Sequence, residues 1–154
     1  MVQQLKTQDI IFTTNTHYYQ ILERYPELQP KMEEIVTSWS QKTIFELAGI
    51  KKEDHIGVLY NSPLTVNYVE RAIDYFKISY NKFSALNENN VQYLEDFVKQ
   101  QNVIIAEPPC RIFKDMELQN LIHRKNIKLI SFEYLVDKGS VMMIQKKLAN
   151  LEDK

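Results

Sequence analysis

The chain has 154 residues, close to the commonest size for one domain with one sizeable core, and leaves no room for two full enzymatic domains. Hydrophobic residues make up 44% and charged residues 25%, and three glycines with five prolines leave little scope for disordered linkers, so the chain is expected to fold throughout as a single domain, 1–154. Its 19 basic and 20 acidic side chains interleave to a formal charge of -1, without the basic stripe that tracks a phosphate backbone, so no nucleic-acid partner is expected.

Ile10 to Phe12 reads as a short strand. Thr13, Thr14, Asn15 and Thr16 then offer capping groups to a helix on which Tyr18, Ile21, Leu22 and Tyr25 repeat at helical spacing. Pro26 and Pro30 interrupt that helix, and Pro30 suits the first turn of another, where a proline forfeits no intrahelical hydrogen bond. Met32, Ile35, Val36, Trp39, Thr43 and Leu47 share one helical face and predict a long helix stopped at Gly49. Residues 1–49 are therefore expected to be a mainly helical lead-in to a β-α core over 50–154.

From Ile56 to Tyr60 a short apolar strand is predicted, with Asn61, Ser62 and Pro63 turning into a helix that carries Val66, Val69, Ile73 and Phe76. A weaker strand follows from Ile78 to Ala85, then a helix capped by Asn90 with Val91, Leu94, Phe97 and Val98 facing inward. Val103 to Ala106 is almost wholly apolar, as expected of a central strand covered on both faces. Glu107, Pro108, Pro109 and Cys110 break it, and a helix around Asp115 to Arg124, a strand from Ile127 to Phe132 and a last helix from near Ser140 complete the chain. This order predicts an α/β fold, a mostly parallel sheet of about four to five strands flanked by helices and preceded by an N-terminal helical segment.

In open parallel sheets, ligands bind beyond the carboxyl ends of the strands. That rule selects Asn61 and Ser62, the run Glu107 to Arg111, and Phe132 with Glu133. There Asn61 and Ser62 would hydrogen-bond a ligand, Arg111 would pair with an anion and Glu107 would accept from a donor. The competing reading makes Ser62 a helix cap, Pro108 and Pro109 the formers of a turn, and Arg111 a solvated charge. Cys110 stands where a helix dipole would activate a thiol, but no histidine lies nearby in sequence to serve as its base, and an ordinary half-buried cysteine is the alternative. His17, His55 and His123 show no metal-ligand spacing, so no metal is expected. No glycine-rich phosphate motif and no nucleophile elbow occurs, which disfavours dinucleotide-dependent dehydrogenases, P-loop enzymes and the usual hydrolases. No catalytic residues are assigned.

A single cysteine cannot form an internal disulfide, the first residues lack the pattern of a signal peptide, and the longest apolar runs fall far short of a membrane span. A cytoplasmic location and no membrane partner are the expectation.

The segment A-G-I-K-K-E-D-H-I-G-V-L-Y-N-S-P-L, Ala48 to Leu64, resembles the start of the nucleotide-binding core of adenylate-forming enzymes of the phenylacetate-CoA ligase and acyl-protein synthetase kind, which read G-[IV]-x-K-x-D-x-[IV] before a strand and a helix. V-I-I-A-E-P-P, Val103 to Pro109, is similar to that family's strand ending in a threonine-proline or glycine-proline pair, so the likeness runs from about Thr43 to about Lys125. It implies a site for an acyl or aryl carboxylate or a nucleotide, with ATP, AMP or CoA as cofactor, lined by Thr13, Thr14, Asn61, Ser62, Glu107, Cys110, Arg111 and Glu133. The phosphate-loop stretch Phe12 to His17 keeps hydroxyls but has no glycine and no lysine after it, and the C-terminal lid is missing at this length. The implied protein is a truncated or degenerate relative without complete catalytic machinery. Lys128 to Asp137 is also similar to the end of a BRCT module, with Tyr134 in place of that module's tryptophan. The alternative function is a non-enzymatic sensor or interaction module of a bacterial regulatory system, with a protein partner or a second copy as a homodimer.

Overall fold

The computed structural model describes residues 2–152. In chain order the elements begin with α1 (Val2–Lys6), β1 (Ile11–Thr14), α2 (Asn15–Arg24), a 3-10 segment (Pro26–Lys31), β2 (Met32–Ile35), β3 (Thr37–Trp39) and α3 (Gln41–Ala48). They continue with β4 (His55–Tyr60), α4 (Pro63–Tyr75), β5 (Lys82–Asn87), α5 (Val91–Lys99), β6 (Val103–Ala106), a short 3-10 turn (Arg111–Phe113), α6 (Met116–Lys125), β7 (Lys128–Ser131), β8 (Tyr134–Val136) and α7 (Lys138–Glu152). Two compact units share the chain: Trp39–Glu133, and the flanking Met1–Ser38 with Tyr134–Lys154.

In the flanking unit β1 and β2 pair in parallel, with Ile11 opposite Met32 and Thr14 opposite Ile35. Ile11, Leu28 and Met32 are buried there, with Leu5, Tyr18, Ile21, Leu22 and Tyr25 packed against them. The long helix expected from Met32 to Leu47 does not form. Its first half is extended because pairing with β1 satisfies the backbone of Met32 to Ile35, and a helix starts only at Gln41, where the Ser40 Oγ accepts from the Thr43 N–H at 3.0 Å. The mainly helical lead-in thus contains three strands. Pro30 opens no helix of its own and lies inside the 3-10 segment. Thr14 occupies the cap position of α2 without a side-chain cap bond, and the Asn15 amide reaches Glu34 instead, at 2.7 Å. The last helix starts two residues before Ser140 because Asp137 caps it, its Oδ1 accepting from the N–H groups of Gly139 at 2.8 Å and Ser140 at 3.2 Å.

The larger unit is α/β. Its four strands are all parallel in the order β5-β4-β6-β7, with Ile56 opposite Phe83 and Val103, and Val103 opposite Lys128. The two inner strands are nearly or wholly buried, which is why they read as continuous apolar runs. Residues alternate between faces: Leu59, Ile104 and Ala106 join Leu94, Val98, Leu118, Leu121 and Ile122 in the core under α5 and α6, so Val58 and Ile105 point to the opposite face. Gly57 lies where the end of α5 presses closest, and a Cβ there would stand 2.6 Å from the buried Gln101 Cγ. The strand expected from Ile78 begins only at Lys82. The Ile78 N–H is drawn into the end of α4, donating to the Ile73 carbonyl at 3.0 Å beside Lys77 at φ 52°, and the chain needs the next three residues to reach the sheet.

Candidate functional site

The strand order decides where a ligand would meet this sheet. From β4 the chain moves outward to β5 and then crosses back to β6 on the other side, so the topological switch lies between the carboxyl ends of β4 and β6. The loops there are Asn61–Ser62 and Glu107–Cys110. Ser62 serves as the cap of α4, its Oγ accepting from the Leu64 N–H at 3.3 Å, with Pro63 in the first turn. One residue further the buried Thr65 donates its hydroxyl to Glu107 Oε2 at 3.0 Å, bridging the two loops that flank the switch. Pro108 and Pro109 shape a turn closed by the Cys110 N–H on the Glu107 carbonyl at 2.9 Å.

The centre of this edge is a residue that the sequence pattern did not select, Glu88. Its N–H donates to the Tyr60 carbonyl at 3.0 Å, which fixes the loop after β5 to the end of β4. Its Oε2 accepts from the Cys110 thiol at 2.7 Å and from the Arg111 N–H at 2.5 Å, and the Asn61 side chain hydrogen-bonds the same carboxylate. Burial alone would raise the Glu88 pKa, but the bonds from Cys110, Arg111 and Asn61 and the Arg111 charge together outweigh it and hold the group below the usual carboxylate range. The partner thiol moves the other way: burial first, then the bond to Glu88 and its charge, push Cys110 up to about 12. Cys110 is therefore a protonated hydrogen-bond donor at neutral pH, and the activated thiol considered above does not arise.

Asn61, Cys110 and Arg111 are thus brought together through Glu88, and Ser62 and Glu107 are linked through Thr65. The Arg111 guanidinium turns to Asp115, with Nε at 2.9 Å and NH2 at 2.8 Å from one carboxylate oxygen, while the other oxygen caps α6 at the N–H groups of Glu117 and Leu118. That hydrogen bond to Arg111 and the cap bonds lower the Asp115 pKa. The Arg111 side chain remains 45% exposed. Glu133 is braced separately: its Oε1 accepts from the Ser131 hydroxyl at 2.7 Å, its N–H donates to the Thr43 hydroxyl, and its carbonyl accepts from the Ser40 N–H. Thr13 and Thr14 stand on β1 of the flanking unit, opposite Glu34 and Ile35. There Phe12 to His17 runs from strand directly into helix. Among the described residues only Lys77 and Asn126 take positive φ, both at helix C-termini, so this stretch does not curl as a phosphate loop does.

From Arg111 a groove of about 670 Å³ runs between α5 and α6. Val91, Leu94, Leu118 and Leu121 give it apolar lining, and the charged side chains around it are Arg111 and Arg124 with Glu95, Asp115 and Glu117. Among the described residues no group of three or more histidine, cysteine or carboxylate side chains could hold a metal ion. No described helix is long and apolar enough to cross a membrane.

Residues 57–154, a span that includes the Lys128 to Asp137 segment similar to a BRCT end, match the model of the YmtS Rossmann-like domain. No curated protein and no solved structure matches the chain. The matched span runs from within β4 through the three other strands of the parallel sheet, and the chain belongs to the YmtS Rossmann-like domain family.

Proposed function

We propose that this chain is a small-molecule-binding domain without a complete catalytic set, with its ligand seated in the groove between α5 and α6 and entering from the carboxyl edge of the sheet. The observation that carries this reading is the groove itself. Its volume of about 670 Å³ falls within the roughly 300 to 1,000 Å³ usual for such sites, and it combines apolar lining with a few charged groups. Arg111 meets the ligand directly, while Asn61, Ser62, Glu107 and Cys110 act by fixing the loops around it.

The resemblance to adenylate-forming enzymes suggests an acyl or aryl carboxylate, or a nucleotide with ATP, AMP or CoA. The carboxylate is the better supported of these. Apolar side chains flank Arg111 and Arg124, the charge partners the groove offers an amphipathic acid beside its own Glu95, Asp115 and Glu117, whereas no described strand-end loop has the positive-φ backbone that cradles phosphates. Thermal shift against ATP, AMP, CoA and a panel of carboxylic acids tests this reading. A ligand at a hundred times its Kd should stabilise the fold by about 2.7 kcal/mol, and no stabilisation by any compound would remove the proposal.

A second reading, an interaction module, draws on the exposure of Val91, which lines the groove, at 52% and of Met116, between the groove residues Asp115 and Glu117, at 71%. A strict monomer by light scattering whose groove admits small acids would count against it.

A further inference from the structure

We propose that Glu88 is a strap that holds the carboxyl-edge end of the α5–α6 groove closed and, by letting go, gates entry to it. The gating half rests on the groove being the ligand site, whereas the strap stands on geometry alone. Glu88 is anchored by its own N–H to Tyr60 at the end of β4, and its carboxylate grips the Cys110 thiol and the Arg111 N–H in the loop after β6. Three residues later comes Val91, which lines the groove on the α5 side, while Arg111 lines it on the other. One side chain therefore draws the two walls together where the groove meets the sheet edge.

Packing holds the middle of the loop, with Cys110 and Ile112 buried in the same core as Leu94 of α5, but few polar bonds leave it. The backbone bonds of Cys110, Phe113, Lys114 and Asp115 all close locally, onto Glu107, Cys110 and Arg111. Beyond them, the Thr65 hydroxyl fixes only the Glu107 end, and the Gln119 amide ties Ile112 to α6, the same wall of the groove. The polar link from this loop across to the start of α5 is the Glu88 carboxylate. Its bonds are charge-assisted, about twice as strong as neutral ones, and one of its donors is a thiol that stays protonated at neutral pH. When the carboxylate lets go, the exposed backbone at Arg111 loses its tie to the start of α5 while Cys110 and Ile112 stay packed, and the end of the groove widens, the kind of loop opening that commonly sets ligand access.

The test uses the full chain as wild type, Glu88→Gln and Glu88→Ala, with amide hydrogen exchange and stopped-flow binding of the fluorophore 8-anilinonaphthalene-1-sulfonate. In Glu88→Ala the Arg111 N–H is expected to exchange about tenfold faster while the β6 amides of Ile104 and Ile105 keep their protection. Glu88→Gln, which keeps an acceptor oxygen, should fall between, and it decides the matter if the alanine variant loses the β6 protection. Fluorophore association should be about threefold faster in the released variant. Unchanged Arg111 exchange with an intact sheet would overturn the strap. Faster exchange with unchanged association would overturn the gate. A fluorophore that binds none of the three proteins would remove the gate together with the groove reading, and the exchange data would still decide the strap.

Discussion

The two edges of the parallel sheet are both tied by polar side chains, but with different chemistry. At the amino edge the partners joining the strands are mostly backbone groups and neutral amides, beside the Lys128 ammonium on the Glu46 carbonyl and the Asp54 carboxylate on the Lys51 N–H. Asn102 pairs with His55 twice, its N–H donating to the His55 carbonyl and its Oδ1 accepting from the His55 N–H at 2.9 Å, and its carbonyl accepts from Lys128. Asn81 bonds Asp54 and the His55 ring. At the carboxyl edge the ties are ionised or partly buried: Glu88 on Cys110 and Arg111, Glu107 on Thr65, Arg111 on Asp115. Neutral amides are enough to hold strands in register. Carboxylates held partly out of water are costly unless several donors converge on them, and here they converge on the edge where folds of this family's class meet ligands.

That contrast can be broken in order of expected size. Gly57→Ala lies in the sheet between the edges and forces a Cβ against Gln101. It should destabilise the chain by about 1–3 kcal/mol in urea unfolding, and a neutral result would mean that Gln101 moves aside freely. Asn102→Ala, at the amino edge, takes the side-chain partner from the His55 N–H at a solvent-exposed junction of β4 and β6 and should cost about 0.5–1.5 kcal/mol of global stability. At the carboxyl edge Glu88→Ala should cost less than about 1 kcal/mol globally, because the group is only half-buried, with its effect concentrated in the exchange of the loop after β6. Equal global costs for Asn102→Ala and Glu88→Ala would erase the distinction between the edges.

Cys110 gives the pH test. Its folded pKa of about 12 lies above the ordinary thiol value of 9.0, so above pH 9 the unfolded chain gives up a proton that the folded chain keeps. The contribution is complete below pH 9 and is lost as pH rises toward 12. Wild type should therefore lose stability over that window more steeply than Cys110→Ala, and parallel curves would contradict a thiol held as a donor. The smallest effect expected is that of Arg111→Gln on stability, within about 0.5 kcal/mol because its pair with Asp115 is at the surface. The same variant should nonetheless lose most of any stabilisation by carboxylic acids, measured by thermal shift.

The parallel core was legible because buried strands announce themselves: Gly57 to Leu59 and Val103 to Ala106 are apolar runs between turn residues. The segment Met32 to Trp39 was not, since its apolar spacing fits a helix equally well and the pairing of β2 with β1 that decides against it is a contact between distant residues. The strand-end rule found Asn61, Cys110 and Arg111, which do meet. It missed Glu88 because β5 was expected to end at Ala85 rather than Asn87, and applied to the observed strand it selects Glu88 at once. Thr65 gave no signal, as a lone hydroxyl in a helix reads as a surface residue, yet it is buried against Glu107.

The groove between α5 and α6 as the ligand site is tested most directly by a residue-resolved NMR titration of the full chain with a medium-chain carboxylate such as octanoate. Saturable shifts concentrated at Val91, Leu94, Arg111, Leu118 and Leu121 are predicted. Shifts that never saturate, or that saturate elsewhere and leave these five residues unmoved, would contradict it.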